Sequence, residues 1–388
     1  MEGTASEHEQ RVTPLELFFD LVFVFAITQV TSLLSNDPTW GGVLRGMLVL
    51  GALWWAWTAY AWLTNTLNPE EGAIRIAVFA AVSAMLIVAL AVPEAFDEHG
   101  VLFAVAYLIV RALHLALYVL AAKGDRDLFA AVIRMTPSST IGGTLLVVAG
   151  FLDDAPRLTL WGVALAVDYL GVLIGGGEGW RLSPRHFAER HGLIVIIAIG
   201  ESIVALGVGA AGLPLGAGVV IAALLGIAVA AALWWSYFDW WTIVAENRIA
   251  HAAGAERAAL ARDMYSYLHL PLVAGIVLFA LAMKKTLGDV DEPLKTVPAA
   301  ALCGGLALYF VAYSALRFRI DGRVARGRLT AAVMLLALYP VAREVSALMA
   351  LVAVTAVPVL LIVYEAVRYR EQRAQVRAGD LGLSHRPT

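Results

Sequence analysis

Several ionisable side chains of this chain fall inside long apolar runs: Asp20, Arg111, His114, Asp168, Glu201, Asp239 and His269. A charge near the centre of a bilayer costs about 2.5–3.5 kcal/mol on insertion scales. Such groups therefore face protein or water, and they mark ion paths, proton relays or the pairs that hold helices together. Spacing assigns them to faces. Glu16 and Asp20 are four apart and share one side of a helix, to which Thr31 returns three turns later. Tyr107, Arg111, His114 and Tyr118 step by four, three and four and form one continuous face. Arg111 cannot neutralise itself and needs a carboxylate or carbonyl partner. Asp20, Asp168, Glu201 and Asp239 are the carboxylates it could take. His114, one turn away, suits proton exchange near neutral pH. Asp168 shares a stripe with Gly171 and Gly175, small residues that permit close helix approach. Glu201 stands between Gly200 and Ser202, and Gly200 with Gly207 makes a second small stripe. Asp239 lies with Trp235, Thr242 and Glu246, and His269 precedes Pro271, which should kink its helix. For each of these the structural alternative, a buried pair acting as glue, weighs about as much as a functional site.

Other chemistry is thinly represented. Glu189, Arg190 and His191, with His186, cluster at the start of one run but lack a nucleophile. The histidines, five apart, are poorly spaced for a shared metal and read as solvated at the interface, as does Glu16. No phosphate-binding Gly-Lys-Ser/Thr, no G-x-S-x-G and no H-x-x-x-H pair occurs. A lone cysteine, Cys303, excludes an intramolecular disulfide framework. The expectation is a protein without catalytic residues, metal or cofactor.

The positioning elements follow from composition. Of 388 residues, 60% are hydrophobic and 15% charged, against roughly 25% charged in soluble domains. Net charge is −3, so nothing suggests a nucleic-acid partner. The bilayer is the expected partner. Apolar runs predict helices over 15–34, 41–64, 73–93, 100–122, 128–151, 157–176, 190–210, 215–243, 262–285, 297–317, 327–342 and 346–367. The fold class is all-α, a polytopic membrane protein with about twelve transmembrane helices. The pair around Arg343 and Glu344 could instead form one bent hairpin, broken near Pro340. The acid-rich MEGTASEHEQR start does not read as a cleaved signal. With an even count, the side holding both termini carries about 21 of the 28 Lys and Arg residues and the other side about six. Both termini should be cytoplasmic and the membrane a bacterial inner membrane.

The halves look duplicated. Leu21 to Gln29 matches Leu193 to Glu201 in placing a polar residue after an apolar run. Leu53-Trp54-Trp55 matches Leu233-Trp234-Trp235 at the same helix ordinal. The expected organisation is two parallel six-helix repeats, 1–185 and 186–367, and a basic cytoplasmic tail, 368–388.

Two stretches carry a family resemblance. Leu15-Glu16-Leu17-Phe18-Phe19-Asp20 continues to Ala26, and His186-Phe187-Ala188-Glu189-Arg190-His191-Gly192-Leu193 is followed by Ile199-Gly200-Glu201-Ser202-Ile203. With Tyr265 to His269, these resemble the bacterial low-temperature-requirement A family over nearly the whole chain. The resemblance implies a multispanning membrane protein associated with growth in the cold. Phe18-Phe19-Asp20 also resembles the first helix of the Phe-Ser-Asp-motif potassium channels of lysosomes and bacteria, whose first helices line a pore. Phe19 replaces that serine, and His191 and Gly192 occupy the equivalent place in the second half. That resemblance implies a homodimer.

Three functions fit. The first is a transporter or channel for a cation or small solute, with Asp20, Glu201, Asp239 and the Arg111–His114 face lining or gating the path, and Glu201 or Asp20 carrying a coupled proton. The second is a non-catalytic stress or assembly factor. The third is an enzyme on lipid-linked substrate, built on the His186 to His191 cluster. The transport reading expects Asp20, Arg111 and Glu201 to meet at one solvated cavity.

Overall fold

The computed structural model describes residues 11–212 and 214–370. Most of the expected tail, from residue 371 onward, lies outside the described residues. The described residues form helices α1 (Pro14–Asn36), α2 (Trp40–Leu63), α3 (Gly72–Ala91), α4 (Gly100–Ala121), α5 (Arg126–Gly150), α6 (Asp154–Gly175), α7 (Pro184–Ala210) and α8 (Ala217–Phe238). They continue as α9 (Trp241–His251), α10 (Gly254–Ala261), α11 (His269–Gly288), α12 (Thr296–Asp321), α13 (Arg326–Ala337), α14 (Tyr339–Ala342) and α15 (Ala347–Arg368).

Local sequence sets several boundaries. Thr13 caps α1 in a reciprocal box with Glu16, and Pro14 fills the first helical position, where a missing N–H costs nothing. Thr39, Asp125 and Ser346 cap α2, α5 and α15 through their side chains. Gly322, at φ 68°, closes α12 in the left-handed region.

Eleven helical stretches among the described residues are long and apolar enough to cross a membrane. The chain is a multi-pass membrane protein. The expected helix over 327–342 is instead the 12-residue α13 and a short turn, α14, that breaks at Leu338 before Pro340. A proline cannot supply the next helical hydrogen bond, and the interruption falls next to it. The expected helix over 215–243 ends at Phe238, so Asp239 falls at the break between α8 and α9. The kink expected at Pro271 is a π-helical turn over Arg262–Tyr267 that joins α10 to α11.

Neighbours follow chain order with a regular exception. In the first six helices α1 packs on α2 and α3, α3 on α4, α4 on α5, α5 on α6, and α6 returns to α2. Later, α7 packs on α8 and α11, α11 on α12, α12 on α13, α13 on α15, and α15 returns to α8. The two sets meet where α1 touches α7 and α11 and α2 touches the same two helices. α2, α11 and α12 are buried along most of their spans, and α6 along little of its own.

Backbone close approach tightens this centre. A Cβ on Gly275 of α11 would stand 2.5 Å from the Gly305 carbonyl of α12, so only glycine allows that crossing. Beyond α14, Ala347 N donates to Glu292 O and Leu348 N to Val290 O. The start of α15 therefore lies against the α11–α12 connection.

Candidate functional site

Two of the four buried arginines among the described residues, Arg190 and Arg111, are the least exposed, and they sit in different settings. Arg190 lies two turns into α7 and faces the first turns of α1. Its Nη1 is 3.0 Å from Glu16 Oε1 and its Nη2 donates to Asp20 Oδ1 at 2.7 Å. His186, one turn earlier, meets the Glu16 carboxylate at 3.0 Å, and Trp57 Nε1 of α2 donates to Asp20 Oδ1 at 2.9 Å. Arg190 also stands 5.7 Å from the Trp57 ring centroid. Glu16, Asp20, His186 and Arg190 are each no more than 2% exposed.

The expectation that His186, His191 and Glu16 are solvated at the interface is therefore corrected. Their helix starts converge, and each side chain is covered by a neighbouring helix. Glu189, on the opposite face of α7, is exposed. Phe19 packs against Phe23 and Tyr60, while Phe18 is 47% exposed.

His191 extends this joint into an aromatic layer. Its Nδ1 meets the Phe187 carbonyl at 2.9 Å, and its ring contacts Trp57, Phe187, Tyr265 and His269. His269 spans the π turn, with Nδ1 at the Met264 carbonyl and Nε2 2.8 Å from Tyr237 Oη. The backbone oxygen loosened by that turn is thus met by a ring. No group of three metal-ligating side chains is found among the described residues.

Arg111 sits at the middle of α4. Its Nη2 donates to Ser139 Oγ of α5 at 2.6 Å and to Asp168 Oδ1 of α6 at 3.2 Å, and Ser139 also donates to Asp168 at 3.0 Å. Arg111 Nε and Nη1 have no partner. His114 makes no well-formed hydrogen bond at either ring nitrogen, although the Ala59 carbonyl of α2 acts on it. Close packing sets Asp168 in place. A Cβ on Gly142 of α5 would stand 3.2 Å from Asp168 Cβ, and one on Gly171 would collide with Ser138.

Arg111 and His114 line a cavity of about 50 Å³. Trp55, Thr58, Ala59 and Trp62 of α2, Tyr118 of α4, Met135 of α5 and Val172 of α6 complete its walls, with Ser266 of the π turn. Gly176, Gly177, Trp180 and Arg262 lie at its outer end and are partly exposed. All of these segments lie towards the membrane side that holds the start of α1. Beyond Arg111, towards the other side, Tyr107, Phe103, Trp161 and Phe96 form a ladder of rings that fills the space.

Asp20, Arg111 and Glu201 do not meet. Arg111 takes Asp168, Asp20 takes Arg190, and Glu201 accepts from Thr28 of α1 at 2.5 Å. Neither Asp20 nor Glu201 lines the Arg111 cavity. Asp239 is half-buried at the α8–α9 break, away from that cavity's walls. Ser202 turns inward and donates to the Ile199 carbonyl at 2.6 Å. Gly200 and Gly207, expected to receive a close neighbour, have open space where a side chain would project.

Sequence reasoning missed Thr28, Ser139 and Trp57, all polar-tipped residues inside apolar runs. It also leaves Arg328, at the start of the expected 327–342 helix, unremarked. Arg328 is 7% exposed, pairs with Glu365 of α15 at 3.0 Å and lies 3.5 Å from the Tyr313 ring centroid.

The family model for the bacterial low temperature requirement A protein matches residues 11–363. An uncharacterized protein of Rhizobium meliloti (strain 1021) is 33% identical over 328 residues, which cover 80% of this chain and 77% of that protein. No solved structure matches the chain. The chain belongs to the bacterial low temperature requirement A family.

Proposed function

We propose that this protein transports a small solute across a bacterial inner membrane, with the Arg111 cavity as its binding site. The carrying observation is a mid-helix arginine with two free nitrogens at the inner end of a one-sided cavity, capped by rings towards the opposite side. A charge left partly unpaired at that depth is costly unless something uses it. A structural arginine needs no cavity beside it, as Arg190 demonstrates.

The reading includes twelve crossings in two six-helix repeats. Return of the α15 start to the α11–α12 connection supports a broken eleventh crossing through α13 and α14. The matching neighbour patterns support duplication. Excess Lys and Arg on the side of both termini supports cytoplasmic ends, so the cavity opens inward. The protein is read as a carrier and not as an enzyme.

A cation pore between the first helices of each half is a poorer fit. Glu16, Asp20, His186, Arg190 and Trp57 fill the α1–α7 interface and neutralise one another there. These residues are read as the joint of the two halves.

Flux into proteoliposomes across a panel of radiolabelled small solutes tests the reading. Wild type should move at least one solute, and the charge-balanced Arg111→Gln/Asp168→Asn variant should lose that flux. Equal flux from both proteins would remove the cavity from the path.

A further inference from the structure

We infer, building on the transport reading, that the Arg111 cavity selects a small planar oxyanion, a short carboxylate or an inorganic equivalent. Charge comes first. Arg111 lines the inner end, Arg262 stands at the outer end bound to Asp263 at 2.8 Å, and no carboxylate is among the cavity's lining residues. Asp168 engages Arg111 through Nη2 and is not among the lining residues. Nε and Nη1 remain as unused donors on a side chain that is 2% exposed. Thr58 Oγ1 on the facing wall also lacks a partner. An ammonium ligand would meet cationic donors with no acid to receive it. An oxyanion offers the acceptors these groups lack, and guanidinium is the side chain that suits planar oxyanions best.

Size comes second. A cavity needs about 10–15 Å³ of such volume to hold one water. At about 50 Å³ this one exceeds that minimum and has room for a small ligand. Formate, acetate and nitrate are small planar oxyanions of that kind. Indole and methionine walls from Trp55, Trp62, Trp180 and Met135 leave room for a methyl group but give few partners to a second charged group.

The experiment is equilibrium binding to the purified full chain in deuterated detergent, read as saturation transfer from protein to the acetate methyl protons. Acetate should give a signal, and acetamide, the same shape without charge, should give at least about tenfold less, the loss expected for one charge-assisted hydrogen bond. Methylammonium should give none. Ala59→Phe fills the cavity without touching a charge, and Arg111→Gln/Asp168→Asn removes the pair without stranding a carboxylate. Both should abolish the acetate signal while the melting transition is retained. Displacement of acetate by equimolar nitrate assigns the site to planar oxyanions at large, and failure to displace assigns it to carboxylates. Equal signals from acetate and acetamide, or an acetate signal that survives both variants, would overturn the inference. Because binding is read without flux, a protein that binds acetate and moves nothing sinks the transport reading alone. One that moves another solute and ignores acetate sinks this inference alone.

Discussion

Arg190 and Arg111 are both no more than 2% exposed, yet their surroundings differ in kind. Arg190 meets two carboxylates with separate nitrogens and has an indole beside it, in a space packed by α1, α2 and α7. Arg111 meets one carboxylate and a hydroxyl through a single nitrogen, its other two have no partner, and its side chain lines a cavity. Burial alone therefore does not mark a site. What separates a joint from a site is how much of the guanidinium's donor capacity the protein itself consumes. The family-resemblance motifs Leu15 to Ala26 and His186 to Leu193 converge on Arg190, which keeps only Nε unpartnered, so they describe how α1 is held to α7. The chemistry left open lies on α4.

Substitutions can break or sharpen this contrast. The largest effect is expected at Arg190. Arg190→Leu leaves Glu16 and Asp20 buried without their cation, and should cost about 3–5 kcal/mol of stability. Thermal unfolding in detergent measures it. Neutralising the group together, as Glu16→Gln/Asp20→Asn/Arg190→Met, should recover much of that loss. An Arg190→Leu protein that melts like wild type would mean the joint does not hold α1 to α7.

Arg111→Gln should cost less, about 1–3 kcal/mol. Ser139 still donates to Asp168, and the glutamine amide retains a donor near the carboxylate that loses its cation. A loss as large as that at Arg190 would erase the distinction between the two regions. Glu201→Gln should cost about 1 kcal/mol or less, since the amide oxygen still accepts from Thr28. Gly200→Ala should change stability by no more than about 0.5 kcal/mol, because its side chain would project into open space.

Much of this architecture is legible in the sequence. Apolar runs locate most of the spans because lipid forces each one to satisfy its backbone internally. The segment at 326–342 resists that logic. Pro340 interrupts its hydrogen bonds, and Arg343 and Glu344 shorten its apolar length, so length and composition do not decide whether it crosses. The face carrying Arg111 and His114 is legible from its four-three-four spacing, since helical geometry fixes which side chains align.

Partner identity is less legible. Asp20, Asp168, Glu201 and Asp239 are equivalent to Arg111 in one dimension, and only the packing of α5 and α6 against α4 selects Asp168. Arg190 looks interfacial from its place at the start of a run, but the start of α1 covers it. Glycine stripes are ambiguous for the same reason. Gly171 and Gly200 give the same local signal, yet Ser138 presses on one and nothing approaches the other.

The most direct test compares solute uptake by proteoliposomes carrying wild type, Ala59→Phe and Gly162→Ala, the last placed where an added methyl meets nothing. The account predicts uptake by wild type and Gly162→Ala, and its loss in Ala59→Phe at unchanged melting temperature. Uptake by all three at the same rate would contradict it.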